Sequence, residues 1–257
     1  MRFSVPLLIA ILVTVFVPVS AQAQSQGARS FAVKRCNEDG FELRLDPGPF
    51  QEAVGSDYAV VLEDGKARVV FVVQDCSEYW VDGEDLGPAQ HTNLWVLIEG
   101  AQDVRPVVGA QVTRPTMTWF SLFHGSTSSR GRQLRLASGT APESIEGVSL
   151  DPPGPQRGGR VTVRADVSYS WNMFSVAPPV RLVGFNHDIV MRNSEGKTVF
   201  KRIQGLANVI AGLSEGTLTV VGGSDPRRLI GPGTYPIMGI SIFPIWARID
   251  LGGPPPR

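Results

Sequence analysis

The sequence predicts a mainly β fold, a single β-barrel or a two-layer β-sandwich of about ten to twelve strands, with one amphipathic helix near residues 197–213. Three observations carry this. Most apolar runs are short, rich in Val and Ile, and bounded by Gly, Pro, Asp or Asn, which is how strands and their turns read in a sequence. Glycine and proline supply 28 and 20 of the 257 residues, enough for many turns and too few for a low-complexity chain. From Val161 to Tyr169, Val161, Val163, Ala165 and Val167 alternate with Thr162, Arg164, Asp166 and Ser168, the pattern of a strand with one buried and one wet face.

Taken in order, the chain opens on Arg2 and an almost unbroken apolar run from Val5 to Val19, closed by Ser20-Ala21-Gln22-Ala23. This is the pattern of a Sec signal peptide with cleavage after Ala23, since the run is shorter than the roughly 20 residues a spanning helix needs. The expected product is a periplasmic or secreted protein with no stable membrane span after cleavage. Residues 24–251 then form one β-rich domain, with 141–159 as the seam if it falls into two halves, and the Gly-Pro tail 252–257 is expected to be disordered. Export exposes the chain to an oxidising compartment, and Cys36 and Cys76 are its only cysteines, so they are expected to pair. A reactive thiol is the alternative, and the acidic neighbours Glu38, Asp39, Asp75 and Glu78 oppose it.

The strand candidates are Phe41 to Leu45, Tyr58 to Leu62, Arg68 to Gln74, Leu94 to Ile98, Val104 to Val112, Met117 to Phe123, Arg160 to Tyr169, Val180 to Gly184, Thr217 to Val221 and Ile237 to Phe243. Asp64-Gly65, Asp82-Gly83 and Glu195-Gly196 fall between runs, where tight hairpin turns need positive φ. A short helix over Gly48 to Val54 is a weaker expectation. The larger helix rests on Val199, Ile203, Leu206, Ile210 and Leu213, spaced 4, 3, 4 and 3 along one helical face. Gly205 and Gly212 weaken it by about 1 kcal/mol each relative to alanine. Leu45-Asp46-Pro47-Gly48-Pro49 is echoed by Leu150-Asp151-Pro152-Pro153-Gly154-Pro155, and reuse of turn chemistry explains the echo more simply than duplication.

With 24 basic against 24 acidic residues the chain has no electrostatic footprint for nucleic acid. Gly212-Leu213-Ser214-Glu215-Gly216 matches the nucleophile-elbow pattern, but no histidine follows Ser214, and an elbow needs a strand entering and a helix leaving, whereas here a helix is expected to enter and a strand to leave. Schiff-base chemistry needs a desolvated, neutral amine and is disfavoured among the four lysines, 34, 66, 197 and 201, because Lys66 is in a turn and Lys197 and Lys201 fall off the apolar stripe of the expected helix; Lys201 beside Arg202 is the one retained. The histidines His91, His124 and His187 share no metal-ligand spacing. His187, between Asn186 and Asp188, reads first as part of a polar turn, with a general base or ligand as the alternative; His91 and His124 read as loop residues.

Strand aromatics fill cores or line the cavity of an incompletely filled barrel, and Trp95, Trp119, Phe123, Trp171 and Trp246 are the cavity candidates. Arg130 and Arg132, with Arg135, form a cationic cluster suited to a carboxylate, phosphate or lipid head group. The leading reading is an exported protein binding a small apolar or amphipathic ligand in an aromatic-lined cavity, with no cofactor indicated. An enzyme acting on a small hydrophobic substrate with His187 as base and Asp188 or Asn186 as its orienter is the alternative, and a structural or protein-interaction module is the third.

Overall fold

The computed structural model describes residues 30–99, 118–137, 143–152, 154–177, 180–182, 185–192, 196, 198–205, 209–222 and 229–251. The signal peptide expected at residues 1–23, the tail expected at 252–257 and the strand expected at Val104 to Val112 lie outside them. The first half of the chain holds β1 (Ser30–Leu45), α1 (Pro47–Val54), β2 (Leu62–Glu63), β3 (Lys66–Val81), β4 (Glu84–Asp85), β5 (Ala89–Ile98), β6 (Thr118–Ser126) and α2 (Ser129–Ala137). The second half holds β7 (Glu143–Ser144), β8 (Gly147–Leu150), β9 (Gln156–Arg164), β10 (Val167–Ser175), β11 (Val180–Leu182), β12 (Phe185–Arg192), β13 (Thr198–Gly205), β14 (Val209–Val221) and β15 (Gly233–Leu251).

The fold is mainly β, as the sequence predicts. The strands number 15 among the described residues, more than expected, because β2, β4 and β7 are two-residue pairings too short to leave an apolar run. The turns follow the sequence closely. Asp64 and Gly65, and Asp82 and Gly83, all have φ between 49° and 85°, so each Asp-Gly closes a hairpin onto β3. Asp46 caps α1 by accepting from the Gly48 amide at 3.0 Å, Pro47 opens the helix, and Phe50 and Val54 enter the core.

Two expectations fail. The helix at 197–213 is absent: Thr198–Gly205 and Val209–Val221 are the strands β13 and β14. The β-branched content of the segment and its two glycines favour extension, and hydrogen bonding to β11, β12 and β15 decides the outcome over a helical spacing of five residues. The single strand read from Arg160 to Tyr169 is instead the β9–β10 hairpin, turning at Ala165-Asp166. A register shift between Val167 and Ser168 keeps Val161 and Tyr169 on one face, so the alternation passes through the turn uninterrupted.

The strand order β1-β3-β5-β6-β12-β13-β15 returns on itself, because β15 also pairs with β1. These strands curl into a ring. The first half of β15 pairs with β14, which continues through β10 and β9 to β8 as a second layer. Two cores result. One lies between the layers, where Phe41 stacks 5.3 Å from Phe71 and from Trp171, and Phe71 lies 5.0 Å from Tyr169. The other covers the opposite, concave face of the ring and joins Phe31, Val33, Val72, Trp95, Trp119 and Ile189. In β1 the buried side changes at Arg35, whose φ is 51°: Phe31 and Val33 are buried before it and Cys36 and Glu38 after it. Cys36 and Cys76 face each other across β1 and β3 and form the expected disulfide.

Candidate functional site

The concave face carries chemistry because strand register aligns it. Glu38 on β1 is opposite Gln74 on β3, Gln74 opposite His91 on β5, and His91 opposite Ser126 on β6. Directly paired residues share a face, so the four form one row across four strands. The next row along β5 and β6 pairs Asn93 with His124, followed by Trp95 with Ser121 and Leu97 with Trp119.

Glu38 is 8% exposed and accepts a hydrogen bond from the Gln74 side-chain amide. Burial pushes its carboxyl up from 4.5 to about 7, Asp39 adds to the rise, and Gln74 and Arg157 oppose it. A carboxyl of this kind holds its proton near neutrality and can also give it up. The neutral form is favoured by folding, so the stabilisation is complete below about 4.5 and is lost as pH rises through about 7. Wild-type stability is therefore expected to fall by about 3 kcal/mol across that window from this group alone, and Glu38→Gln is expected to flatten the decline. Urea midpoints measured at intervals from pH 4.5 to 8 check this; equal slopes in the two proteins would refute it.

The α2 helix closes one end of this face. Ser128 Oγ caps it by accepting from the Gly131 amide at 3.1 Å. A side chain at Gly131 would collide with the Tyr79 ring, so glycine is what lets the helix seat. One turn later Arg135 is buried, donates to His124 Nε2 and lies 5.1 Å from the Phe31 ring centroid. His124 Nδ1 lies 2.5 Å from Asn93 Oδ1, so the hydrogen must be on Nδ1 and the imidazole is neutral. Burial holds the Arg135 guanidinium below its usual range and the Tyr79 phenol above its own, and each opposes the other's shift. The Tyr79 and His91 rings meet edge to face at 4.7 Å, and His91 stacks on His124 at 5.8 Å.

Of the residues singled out in the sequence, Trp95 and Trp119 lie in this concave cluster, whereas Trp171 and Phe123 pack into the core between the layers. Trp171 donates to Asp39 Oδ2 at 3.0 Å, and Arg157 Nε meets Asp39 Oδ1 at 2.6 Å. Trp246 falls in β15 opposite Lys34, with its side chain outside the described residues. His187 sits in β12 opposite Ile203, and Lys201 sits in β13 opposite Ile189. The side chains of His187, Asp188 and Lys201 lie outside the described residues. Arg130 is on the outside of α2, 3.9 Å from Glu84, and Arg132 donates to the Ser126 carbonyl at 2.5 Å.

His91 and His124 are not loop residues. They occupy the middle of paired strands at 2% and 7% exposure. With Glu38, Gln74 and Asn93 they were missed as site residues, while Arg135 was read only as part of a cationic cluster; the one available signal was the two-residue spacing of His91, Asn93, Trp95 and Leu97. Because β5 is buried on both faces, Leu94 and Val96 between them hid the alternation. Among the described residues, no three His, Cys, Asp or Glu side chains gather as a metal site. A separate open groove of about 590 Å³ lies where β1 meets β10, β14 and β15, lined in part by Leu45, Phe174, Val176, Ile237 and Met238.

No family model and no curated protein matches the chain. Solved structures do. The enduracididine biosynthesis enzyme MppR, complexed with the condensation product of pyruvate and imidazole 4-carboxaldehyde, superposes with a TM-score of 0.52 at 12% identity, over 88% of this chain and 87% of that one. An acetoacetate decarboxylase-like enzyme from Sphingomonas wittichii gives 0.50 at 13%, over 95% and 99%. Acetoacetate decarboxylase from Legionella pneumophila gives 0.52 at 11%, over 86% and 84%. At these identities the likeness is one of fold, and the chain shares its barrel fold with acetoacetate decarboxylase-like enzymes.

Proposed function

We propose that the chain is an enzyme acting on a small oxo acid held against the concave face of the ring, with Glu38 as its acid–base group. The observation that carries the reading is Glu38 itself, a buried carboxyl poised near neutrality in a row with Gln74, His91 and Ser126. The fold neighbours support the substrate class, since one of them holds a pyruvate-derived compound. They also favour the enzyme alternative over the passive carrier that the sequence put first.

Register adds a nucleophile. Lys201 is opposite Ile189, Ile189 opposite Trp119, and Trp119 opposite Leu97, and the last three are buried. Schiff-base chemistry needs the amine in its neutral, nucleophilic form, and the proposal gives Lys201 that role. In the proposed step the Lys201 nitrogen attacks the substrate carbonyl carbon, and the carbonyl oxygen leaves as water. In a 3-oxo acid such as acetoacetate the bond from the next carbon to the carboxylate then breaks, its electron pair enters the iminium to give an enamine, and the carboxylate leaves as carbon dioxide. Protonated Glu38 gives its proton to the enamine carbon and regains one from water, and water hydrolyses the restored iminium to release the ketone and the free lysine amine.

The test is reductive trapping. The chain is expressed from Met1, its processed amino terminus is read by mass against the proposed start at Gln24, and it is treated with borohydride and pyruvate or acetoacetate. A covalent mass increase that is lost in Lys201→Met is expected. If no oxo acid gives an adduct, the carrier reading takes its place, and the apolar groove beside Phe174 and Met238 is where its ligand belongs.

A further inference from the structure

The open groove of about 590 Å³ where β1 meets β10, β14 and β15 is apolar along most of its wall, and strand register sets one charge into it. Phe174 on β10 is opposite Glu215 on β14, and Glu215 is opposite Met238 on β15. Directly paired residues share a face with their Cβ atoms about 5 Å apart, so the carboxylate stands between an aromatic ring and a thioether. Glu215 is exposed, and Phe174, Met238 and the neighbouring Val176 are each half exposed or more. Large apolar side chains left exposed together in a concavity mark a binding surface, and the volume lies within the roughly 300–1,000 Å³ of small-molecule sites.

The charge of the groove is unbalanced. Glu42 and Arg44 also line it, but both belong to a closed set: Arg44 pairs with Glu42 at 2.6 Å and with Glu63, and Arg68 pairs with Glu42 at 2.6 Å and with Glu63 at 3.6 Å. Two arginines and two glutamates cancel. Glu215 has no ion pair and no side-chain hydrogen bond among the described residues, so its negative charge is the one left over, and it is left beside Phe174. A carboxylate next to an aromatic face suits a cation, the first by its charge and the second by its ring quadrupole. The apolar wall of Val176 and Met238 suits hydrocarbon. A second copy of this chain fits less well, because a two-fold contact centred on this row brings two Glu215 carboxylates together while Arg44 is held by Glu42 and Glu63.

We infer that the groove binds an amphipathic cation, its ammonium head group held between the Glu215 carboxylate and the Phe174 ring and its alkyl body laid along Val176 and Met238. The site is independent of the oxo-acid reading, since Glu38 and Lys201 take no part in it.

The probes are octylammonium, its neutral counterpart octan-1-ol, and ethylammonium, titrated into the full chain at pH 7 by calorimetry. Octylammonium is expected to bind about fivefold or more tightly than octanol, by ion pairing and cation–π attraction, and about tenfold or more tightly than ethylammonium, by burial of the alkyl chain. Glu215→Gln is expected to bring octylammonium and octanol within about twofold of each other, and Phe174→Ala to weaken octylammonium about threefold or more. Both side chains are exposed, so both variants are expected to fold as the wild type does. Failure of octylammonium to bind, equal binding of octylammonium and octanol by the wild type, or a preference for the cation that survives Glu215→Gln overturns the inference. A dimer of the probe-free chain in sedimentation that Phe174→Ala dissociates also overturns it, in favour of a second copy. Borohydride trapping at Lys201 bears on the oxo-acid reading alone, so either idea can fail while the other stands.

Discussion

Arg157→Met is expected to cost the fold about 3–5 kcal/mol, the largest effect of any single replacement named here. Arg157 and Asp39 are 2% and 0% exposed in side chain, and their 2.6 Å contact bridges β9 to β1 across the core between the layers. Taking away the guanidinium leaves the Asp39 carboxylate in that core with the Trp171 indole N–H at 3.0 Å. A neutral donor such as this indole cannot replace the lost charge, because a buried ion is stabilised mainly by its counter-ion. Removing both charges is a different matter. Asp39→Leu combined with Arg157→Met is expected to regain most of the loss, since a well-packed apolar pair often equals the ion pair it replaces. Urea unfolding of wild type, single and double variants measures this. A single variant within about 1 kcal/mol of wild type would mean that the contact contributes little.

Cys36→Ala with Cys76→Ala is the second. The bond closes a loop of 40 residues, and its loss is expected to lower stability by about 3–4 kcal/mol, chiefly by freeing the unfolded chain. The loop contains the hydrogen-bonded halves of β1 and β3 together with α1, so the crosslink holds together the wall that both cores share. The sulfurs are nearly inaccessible, with the two residues at 0% and 1% exposure, and reductant should act only on opened molecules. Thermal melts with and without dithiothreitol give the check. Reduced wild type should melt with the double variant, and the double variant should ignore the reductant. A double variant that melts with the oxidised wild type would refute the expected contribution.

The sequence was most readable where one residue type solves a local problem. Asp64-Gly65 and Asp82-Gly83 announce positive φ, and the hairpins are where they say. Reading failed where two faces of a strand are buried or where a pattern has two geometric solutions. The stretch 197–213 offered a five-residue helical spacing, and nothing local reports that three strands wait to pair with it. The β9–β10 hairpin was invisible because the register shift preserved the alternation across the turn. The site suffered for the first reason. Glu38 and Asp39 are neighbours in sequence, and only the fold sends one to the concave face and the other to the opposite core. Trp95 and Trp119 were found because aromatic residues are informative in either setting, and Arg135 was noticed as a charge before its helix carried it into the barrel.

One 19-residue strand, β15, hydrogen-bonds to β1 along one edge and to β14 and β13 along the other. It is the last strand of the described chain and its partner β1 is the first, so the ring closes between segments some 200 residues apart in order of synthesis. Folding must then finish after translation of the strand, with earlier segments held open and the edge of β1 unpaired until it arrives. The slow step is the arrival of the final strand, and amide protons of β1 facing β15 are the ones that should gain protection last in a pulse-labelling experiment.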